Sequence, residues 1–265
     1  MAKPALSIVV PYTDARTSRL LFLLLRQCQQ QKVTDVEIVV VNTTGRSLTD
    51  SHNLQTPPAW LSEISECLAP DNLSVPAVRN IGLRSANGEF VCCLDYDDYL
   101  HADRLLAQLE LCRRRGRPSA LRGQLLVDVS GSTRIGVDAS QAFPVKSFLR
   151  EMPAGIPATV MFPRLDPQGS VWQYDVTLSQ NTHLEFFARL NATYDGVEVL
   201  DNVTTRNASL ETHGWLFLST AIYHGFNVQP AASFFDGAAE VEPTTVSGFA
   251  AGLSRLLHAY GFQVT

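Results

Sequence analysis

The sequence has no apolar run of the ~20 residues that a helix needs to cross a bilayer; the stretch LLFLLL at 20–25 is far too short. It has no C-x-x-C spacing among its five cysteines, Cys28, Cys67, Cys92, Cys93 and Cys112, which leaves buried free thiols in a reducing compartment as the reading of choice over a metal knuckle or disulfide frame. A positive excess is also missing. Twenty-one Lys and Arg stand against 26 Asp and Glu, a net charge of −5, which argues against a general nucleic-acid binder. The basic run Arg113 to Arg117 closes a predicted helix, where cations suit the helix dipole. No internal repeat or low-complexity tract interrupts the chain. The apolar run after Lys3 is too brief for the core of a signal peptide. A cytoplasmic protein is therefore expected, with a peripheral place on the inner face of a membrane as an alternative. The five N-x-[S/T] sequons, at Asn42, Asn72, Asn191, Asn202 and Asn207, are then coincidental.

What is present is a regular alternation. LSIVVPY (6–12) is rich in β-branched residues and reads as a strand; DARTSRLLFLLLRQCQQQ follows as a helix with Leu20, Leu21, Leu24, Leu25 and Cys28 on one face. VEIVVVN (36–42) is apolar throughout its core, which suits a parallel strand covered on both faces. A polar stretch (43–59) leads to a short helix or strand near 60–68. The spacing then predicts a helix from Ala77 to Ser85, an Asn87-Gly88 turn, a strand FVCCLD, and a helix ADRLLAQLELCRRR. Cys92 and Cys93, adjacent on that strand, should point to opposite faces. The order β-α-β-(x)-α-β-α is that of an open, mostly parallel α/β sheet flanked by helices. After Pro118 the pattern turns irregular, with helices predicted only near 183–192 and 247–260, and one compound domain is expected rather than two.

The stretch VCCLDYDD (91–98) places Asp95, Asp97 and Asp98 at the end of a buried strand. In open α/β sheets ligands lie beyond the carboxyl ends of the strands, where Pro11–Thr13 and Asn42–Gly45 should also gather. Hard carboxylate oxygens in a tight turn suit Mg²⁺ or Mn²⁺, which would also relieve the like-charge repulsion. The alternative is that Asp98 or Asp103 caps the next helix while the others face water.

In context the motif resembles the inverting glycosyltransferases of family 2, with GT-A fold and nucleotide-sugar donors. SIVVPYTDA, VEIVVVNTTG and VRNIGLRSANGEFVCCLDYDDYL carry the resemblance in that order; ATVMFPR, VWQYDVTL, HLEFFARL and TTRNASL are weaker echoes. The resemblance implies a GT-A-like sheet with a smaller, irregular α+β C-terminal part. Residues 1–118 would be the donor half and 119–265 the acceptor side, facing a saccharide, lipid-linked glycan or protein. It further implies that Pro11, Tyr12 and Thr13 line the nucleoside pocket and that Asn42, in place of the usual Asp, reads a pyrimidine edge, UDP-sugar being the expected donor. Thr43 replaces a second Asp. Arg79 would meet donor phosphate, Asp95 the ribose or metal-bound water, and Asp97 the metal, Mn²⁺ or Mg²⁺; Arg206 would lie near the pyrophosphate and His213 could complete the metal shell.

One part of the pattern departs from the family. The base that takes the acceptor proton is usually the Asp of a Glu-Asp pair six residues before an Arg. Counting back from Arg189 gives His183, preceded by Thr182. His183 can serve, kept neutral by the helix N-terminus; Glu185 is the other candidate, although Thr182-x-x-Glu185 matches a capping box. Asp175 is more distant. A donor-binding protein without turnover is thus the competing reading. A phosphohydrolase using Asp95 as nucleophile fits less well, because its motif should end the first strand and carry Thr or Val at Tyr99. The aromatics from Trp215 to Phe235 are ascribed mainly to core packing.

Overall fold

The structure is a computed structural model that describes residues 3–31, 33–51, 61, 63–96, 98–100, 104–121, 125–128, 133–135, 157–178, 182–200 and 219–223. Strand β1 (Leu6–Tyr12) leads through a 3-10 turn, Ala15–Thr17, into helix α1 (Ser18–Gln29). Strand β2 (Val36–Asn42), one-turn helix α2 (Leu48–Ser51) and strand β3 (Ile64–Leu68) follow, so the ambiguous stretch near 60–68 is a strand. Next come α3 (Val75–Ser85), β4 (Phe90–Cys93), β5 (Asp98–Leu100) and α4 (Arg104–Arg115). Beyond them are β6 (Ser119–Leu121), β7 (Leu125–Asp128), β8 (Thr133–Ile135), β9 (Val160–Pro163), α5 (Thr182–Thr193), β10 (Glu198–Leu200) and β11 (Ser219–Tyr223).

The main sheet has seven strands in the order β10-β6-β9-β4-β1-β2-β3. The neighbours β4, β1, β2 and β3 are mutually parallel, and β9 alone runs antiparallel between β4 and β6. The sheet therefore continues past residue 118 through three short strands. A second sheet, β5-β11-β7-β8, takes up Asp98–Leu100, so the acidic cluster feeds a short strand before helix α4 begins.

Alternation of side chains sorts the core. Leu6, Ile8, Val10, Tyr12, Val40 and Cys92 bury themselves under α1 and α4; Val9, Val39, Val41, Val91 and Cys93 lie under α3 and α5. Cys92 and Cys93 do point to opposite faces, and burial pushes both thiols up to about 12, so they are neutral packing groups. Helix α3 starts with Pro76 in its first turn, where a missing N–H costs nothing, and its axis sits close on the sheet because Gly82 has no side chain: a Cβ there would lie 2.3 Å from Val9 Cγ1. That close seat is what brings the residues of α3 to the ends of the strands.

Candidate functional site

The carboxyl ends of β1, β2 and β4 lie side by side, and the chain is tied across them. The Thr43 N–H donates to the Tyr12 carbonyl at 3.0 Å, and the Leu94 N–H donates to that of Val9 at 2.9 Å. Thr13 is exposed at this edge while Pro11 is buried. Tyr12 differs from expectation. It is fully buried with Leu6, Ile8 and Val10, and its hydroxyl donates to the Ala15 carbonyl, so it offers no open aromatic face. Strand parity is the reason, since position 12 shares the core face of 6, 8 and 10.

Asn42 is likewise fully buried and fully occupied. Its Nδ2 donates to the Arg46 carbonyl (2.7 Å) and Glu66 Oε1 (2.6 Å), and its Oδ1 accepts from the Thr44 N–H (2.9 Å) and hydroxyl (2.8 Å). An amide has two donors and two acceptor sites, and all four are spent on shaping the 43–48 loop. Glu66 also accepts from the Leu48 N–H, so this β3 carboxylate, unnoticed in the sequence, anchors the loop.

The acidic cluster divides by direction. Leu94 ends the buried run, and Asp95 is 39% exposed at its side chain. Asp98 folds inward instead, its Oδ2 accepting the Asp95 N–H at 2.7 Å, with the wholly buried Arg104 behind it. Burial lowers the Arg104 pKa, while Cys92, Asp98 and Cys28 act in the opposite sense; its guanidinium donates to the Ala158 carbonyl and to Gln108 Oε1. Asp98 thus braces the turn from within; Asp97 and Asp103 lie outside the described residues.

Arg79, the fifth residue of α3, is buried and donates to Asp95 Oδ1 at 2.6 Å. Burial works against its charge, but the Asp95 carboxylate, with Tyr174 and Cys93, holds the guanidinium pKa above its ordinary value. Its Nε has no hydrogen-bond partner among the described residues. The guanidinium lies 5.7 Å from the ring centroid of Tyr174. Asn80, the next residue, donates through Nδ2 to the Tyr174 carbonyl (2.9 Å) and accepts the Tyr174 N–H at Oδ1 (2.7 Å). This clasp spans 94 residues and left no local signal in the sequence.

Helix α5 supplies the remaining groups. His183 is half-buried, its Nε2 has no partner among the described residues, and burial, with the Arg79 charge adding, lowers its pKa while Asp95 acts to raise it. Glu185 does not reach back to the helix start as a capping box would. It accepts from Arg189 Nε (2.7 Å) and Nη2 (3.1 Å), one turn on, because the i,i+4 cation is closer at hand. The Asp175 carboxylate caps its own turn at Thr177. Arg206, His213 and the aromatic tail lie outside the described residues. The structure therefore brings Arg79, Asp95 and His183 within electrostatic reach of one another, and turns Tyr12, Asn42 and Glu185 to other partners. Asp95 keeps one carboxylate oxygen without a partner among the described residues, a hard donor of the kind that Mg²⁺ or Mn²⁺ accepts. The D-x-D segment follows β4, not β1, which disfavours the phosphohydrolase.

Residues 7–119 match the family model for glycosyl transferase family 2. An uncharacterized glycosyltransferase of Haemophilus influenzae is 28% identical over 111 residues, 41% of this chain and 42% of that protein. EpsH of Bacillus subtilis, itself a provisional glycosyltransferase, is 28% identical over 103 residues, 39% of this chain and 29% of its own. The matched stretch thus spans less than half of either relative. In fold, the crystal structure of S. aureus TarS aligns with 82% of this chain and 36% of its own, at a TM-score of 0.53 and 16% identity. The α/β reading of the fold holds, and the match over residues 7–119 is consistent with the resemblance to glycosyl transferase family 2.

Proposed function

We propose that the protein is an inverting glycosyltransferase that moves a sugar from a nucleotide-diphosphate donor, a UDP-sugar by the family resemblance, to an acceptor hydroxyl. The observation that carries this is Arg79: a buried cation whose Nε has no partner among the described residues, held against Asp95 at the strand ends where open α/β sheets take their ligands. Nothing in packing alone calls for a charge there, and a diphosphate is the complementary group. Residues 1–118 form the donor half in this reading and 119–265 the acceptor side. The acceptor is a saccharide, lipid-linked glycan or protein in the cytoplasm, a compartment that suits the five free thiols.

In the reaction the acceptor oxygen bonds to the anomeric carbon as the bond from that carbon to the diphosphate breaks. His183 receives the hydroxyl proton at Nε2, which burial keeps neutral and which no described residue occupies. Arg79 orients the departing diphosphate; Asp95, which it steadies, faces the ribose side. A divalent cation, Mn²⁺ or Mg²⁺, held by Asp95 and Asp97 would offset the negative charge that gathers on the leaving nucleotide. Arg206 is assigned to the pyrophosphate, Pro11 and Thr13 to the nucleoside, and His213 stays a candidate for the metal shell. Tyr12 and Asn42 shape that pocket indirectly, through the 3-10 turn and the 43–48 loop.

The second reading is donor binding without turnover, and Thr182-His183 in place of Glu-Asp favours it. Nucleotide release and sugar transfer, measured across common nucleotide-sugars with Mn²⁺ and with EDTA, separate the two in the wild type and in Arg79→Ala, Asp97→Ala and His183→Ala. Transfer lost in His183→Ala with donor binding kept supports the enzyme. Binding without release from any donor supports the second reading, and no binding at all ends both.

A further inference from the structure

We infer that Tyr174 is a positioning residue that sets Arg79 against the donor diphosphate, an inference that rests on the donor-site reading above. Three elements bring the site its charged and titratable groups: α3 with Arg79, β4 with Asp95 two residues beyond Cys93, and α5 with His183. The Tyr174 side chain touches all three. One face of its ring lies under the Arg79 guanidinium, 5.7 Å to the centroid. The ring stacks on Phe186 at 4.3 Å and 17°, and Phe186 stands one helical turn after His183 on α5. Its hydroxyl lies near the Cys93 thiol but has no hydrogen-bond partner among the described residues, and both groups are buried.

The backbone of Tyr174 is as closely held as the ring. Asn80 pairs with both its N–H and its carbonyl, at 2.7 and 2.9 Å, and all of these groups are buried. Arg79 and Asn80 are adjacent on α3, so one residue stacks on the tyrosine while the next clasps its main chain. The guanidinium then has two constraints, the Asp95 carboxylate at one end and the aromatic face beneath it. Asp95 alone does not fix a planar group: an ion pair through a single Nη2···Oδ1 contact leaves rotation about the side-chain torsions. The ring face removes that freedom and aims the Nε, which no described residue engages. Rotation lost before binding is not lost again on binding, so affinity for the diphosphate rises without the ring touching it.

This predicts a coupling. Binding of UDP, GDP, CDP and ADP, each with and without Mn²⁺, is measured by calorimetry on the whole chain for wild type, Tyr174→Met, Tyr174→Phe, Arg79→Ala and the double variant Arg79→Ala/Tyr174→Met. Met fills the space without a π face. Tyr174→Met is expected to weaken the best nucleoside diphosphate about tenfold, and Tyr174→Phe to restore it to within about twofold of wild type. The double variant should bind no worse than Arg79→Ala alone, since the ring acts only through the arginine. A merely structural tyrosine would instead give additive losses and equal loss of affinity in Phe and Met. That pattern, or undiminished binding in Tyr174→Met, overturns the inference while Arg79→Ala still weakens binding. If wild type and Arg79→Ala bind alike, or neither binds, the donor-site reading itself fails and this inference with it. Should Tyr174→Met not fold, Phe186→Leu frees the other face of the ring; its weakening, about threefold, must also vanish in the Arg79→Ala background.

Discussion

Substitution of Gly82 by alanine sets two physical effects against each other with opposite signs. In a helix interior alanine is favoured over glycine by about 1 kcal/mol, so propensity alone predicts a more stable protein. Packing predicts the reverse. The new Cβ would stand 2.3 Å from Val9 Cγ1 and 3.1 Å from Val41 Cγ2, against the ~3.5 Å of ordinary carbon contact. Neither valine can retreat. Both are fully buried, Val9 is held by ladders to β2 and β4, and a β-branched side chain has little choice of rotamer. Helix α3 must therefore lift by about 1 Å. Overpacking of this kind costs about 1–3 kcal/mol, and severe contact with two immobile side chains belongs near the upper end. After the propensity gain, a net loss of about 1–2 kcal/mol is expected, or roughly 2–4 °C in Tm for a chain of this size. Arg84→Ala on the exposed face of the same helix serves as the control, within about 0.5 kcal/mol of wild type. Urea denaturation and thermal melts give the sign directly. Because Arg79 sits one turn before Gly82, the lifted helix should also weaken nucleoside diphosphate binding. A Gly82→Ala protein more stable than wild type would refute the close seating of α3 and the account of the site built on it.

Three further outcomes are expected. Asn42→Asp, the change toward the residue usual in the family, places a carboxylate against Glu66 Oε1 at 2.6 Å and removes both donors of a buried group; a loss of about 2–4 kcal/mol in urea denaturation is expected, with much of it regained in Asn42→Asp/Glu66→Gln. An unchanged midpoint for the single variant would exclude the bonding pattern described for Asn42. His183 is held below the ordinary imidazole value of 6.5, so the unfolded chain takes up its proton first; stability is full above about 6.5 and falls as pH drops from there through the folded value. His183→Asn should remove that slope from a pH series of melts, while Asp14, held low by its hydrogen bond to Arg16, and Asp175, held low by Thr177, act only at and below the ordinary carboxylate range. Finally, Glu185→Gln breaks a half-exposed pair with Arg189, expected to cost under about 0.5 kcal/mol and to leave transfer within about twofold, whereas His183→Ala should slow transfer by about 10²–10⁴. Transfer abolished by Glu185→Gln would make the glutamate the base.

The legible parts of the sequence were those whose cause is local. Runs of β-branched residues gave away β1 and β2, and the Leu21, Leu24, Leu25, Cys28 stripe gave away α1, because burial on both faces or on one leaves a period that can be read. β3 was ambiguous because its five residues, ISECL, are only half-buried at the sheet edge. β6, β9 and β10 have three or four residues each and no pattern of their own; they are strands because the sheet offers partners from elsewhere in the chain. At the site, the motif points to Asp95 and Arg79, whereas Tyr12 and Asn42, on the same strand faces as Val10 and Val40, turn into the protein rather than toward a ligand.

The neighbours Arg79 and Asn80 show why the motif stops where it does. Arg79 finds its partner at Asp95, sixteen residues on, within the segment that carries the family signature. Asn80 finds its partner at Tyr174, ninety-four residues on and outside that segment. A side-chain amide can clasp the main chain of any residue, because the N–H and carbonyl it pairs with are common to nearly all. Such a bond holds the 171–178 segment to α3 while placing little demand on which residue type sits there. The 7–119 segment is therefore recognisable from residue identities, and the rest is fixed by backbone bonds and aromatic packing that tolerate many sequences. On this account, replacing the exposed residues Gln173, Val176 and Leu178 should leave both fold and binding intact, whereas at Tyr174, where a ring meets Arg79, identity should matter to binding.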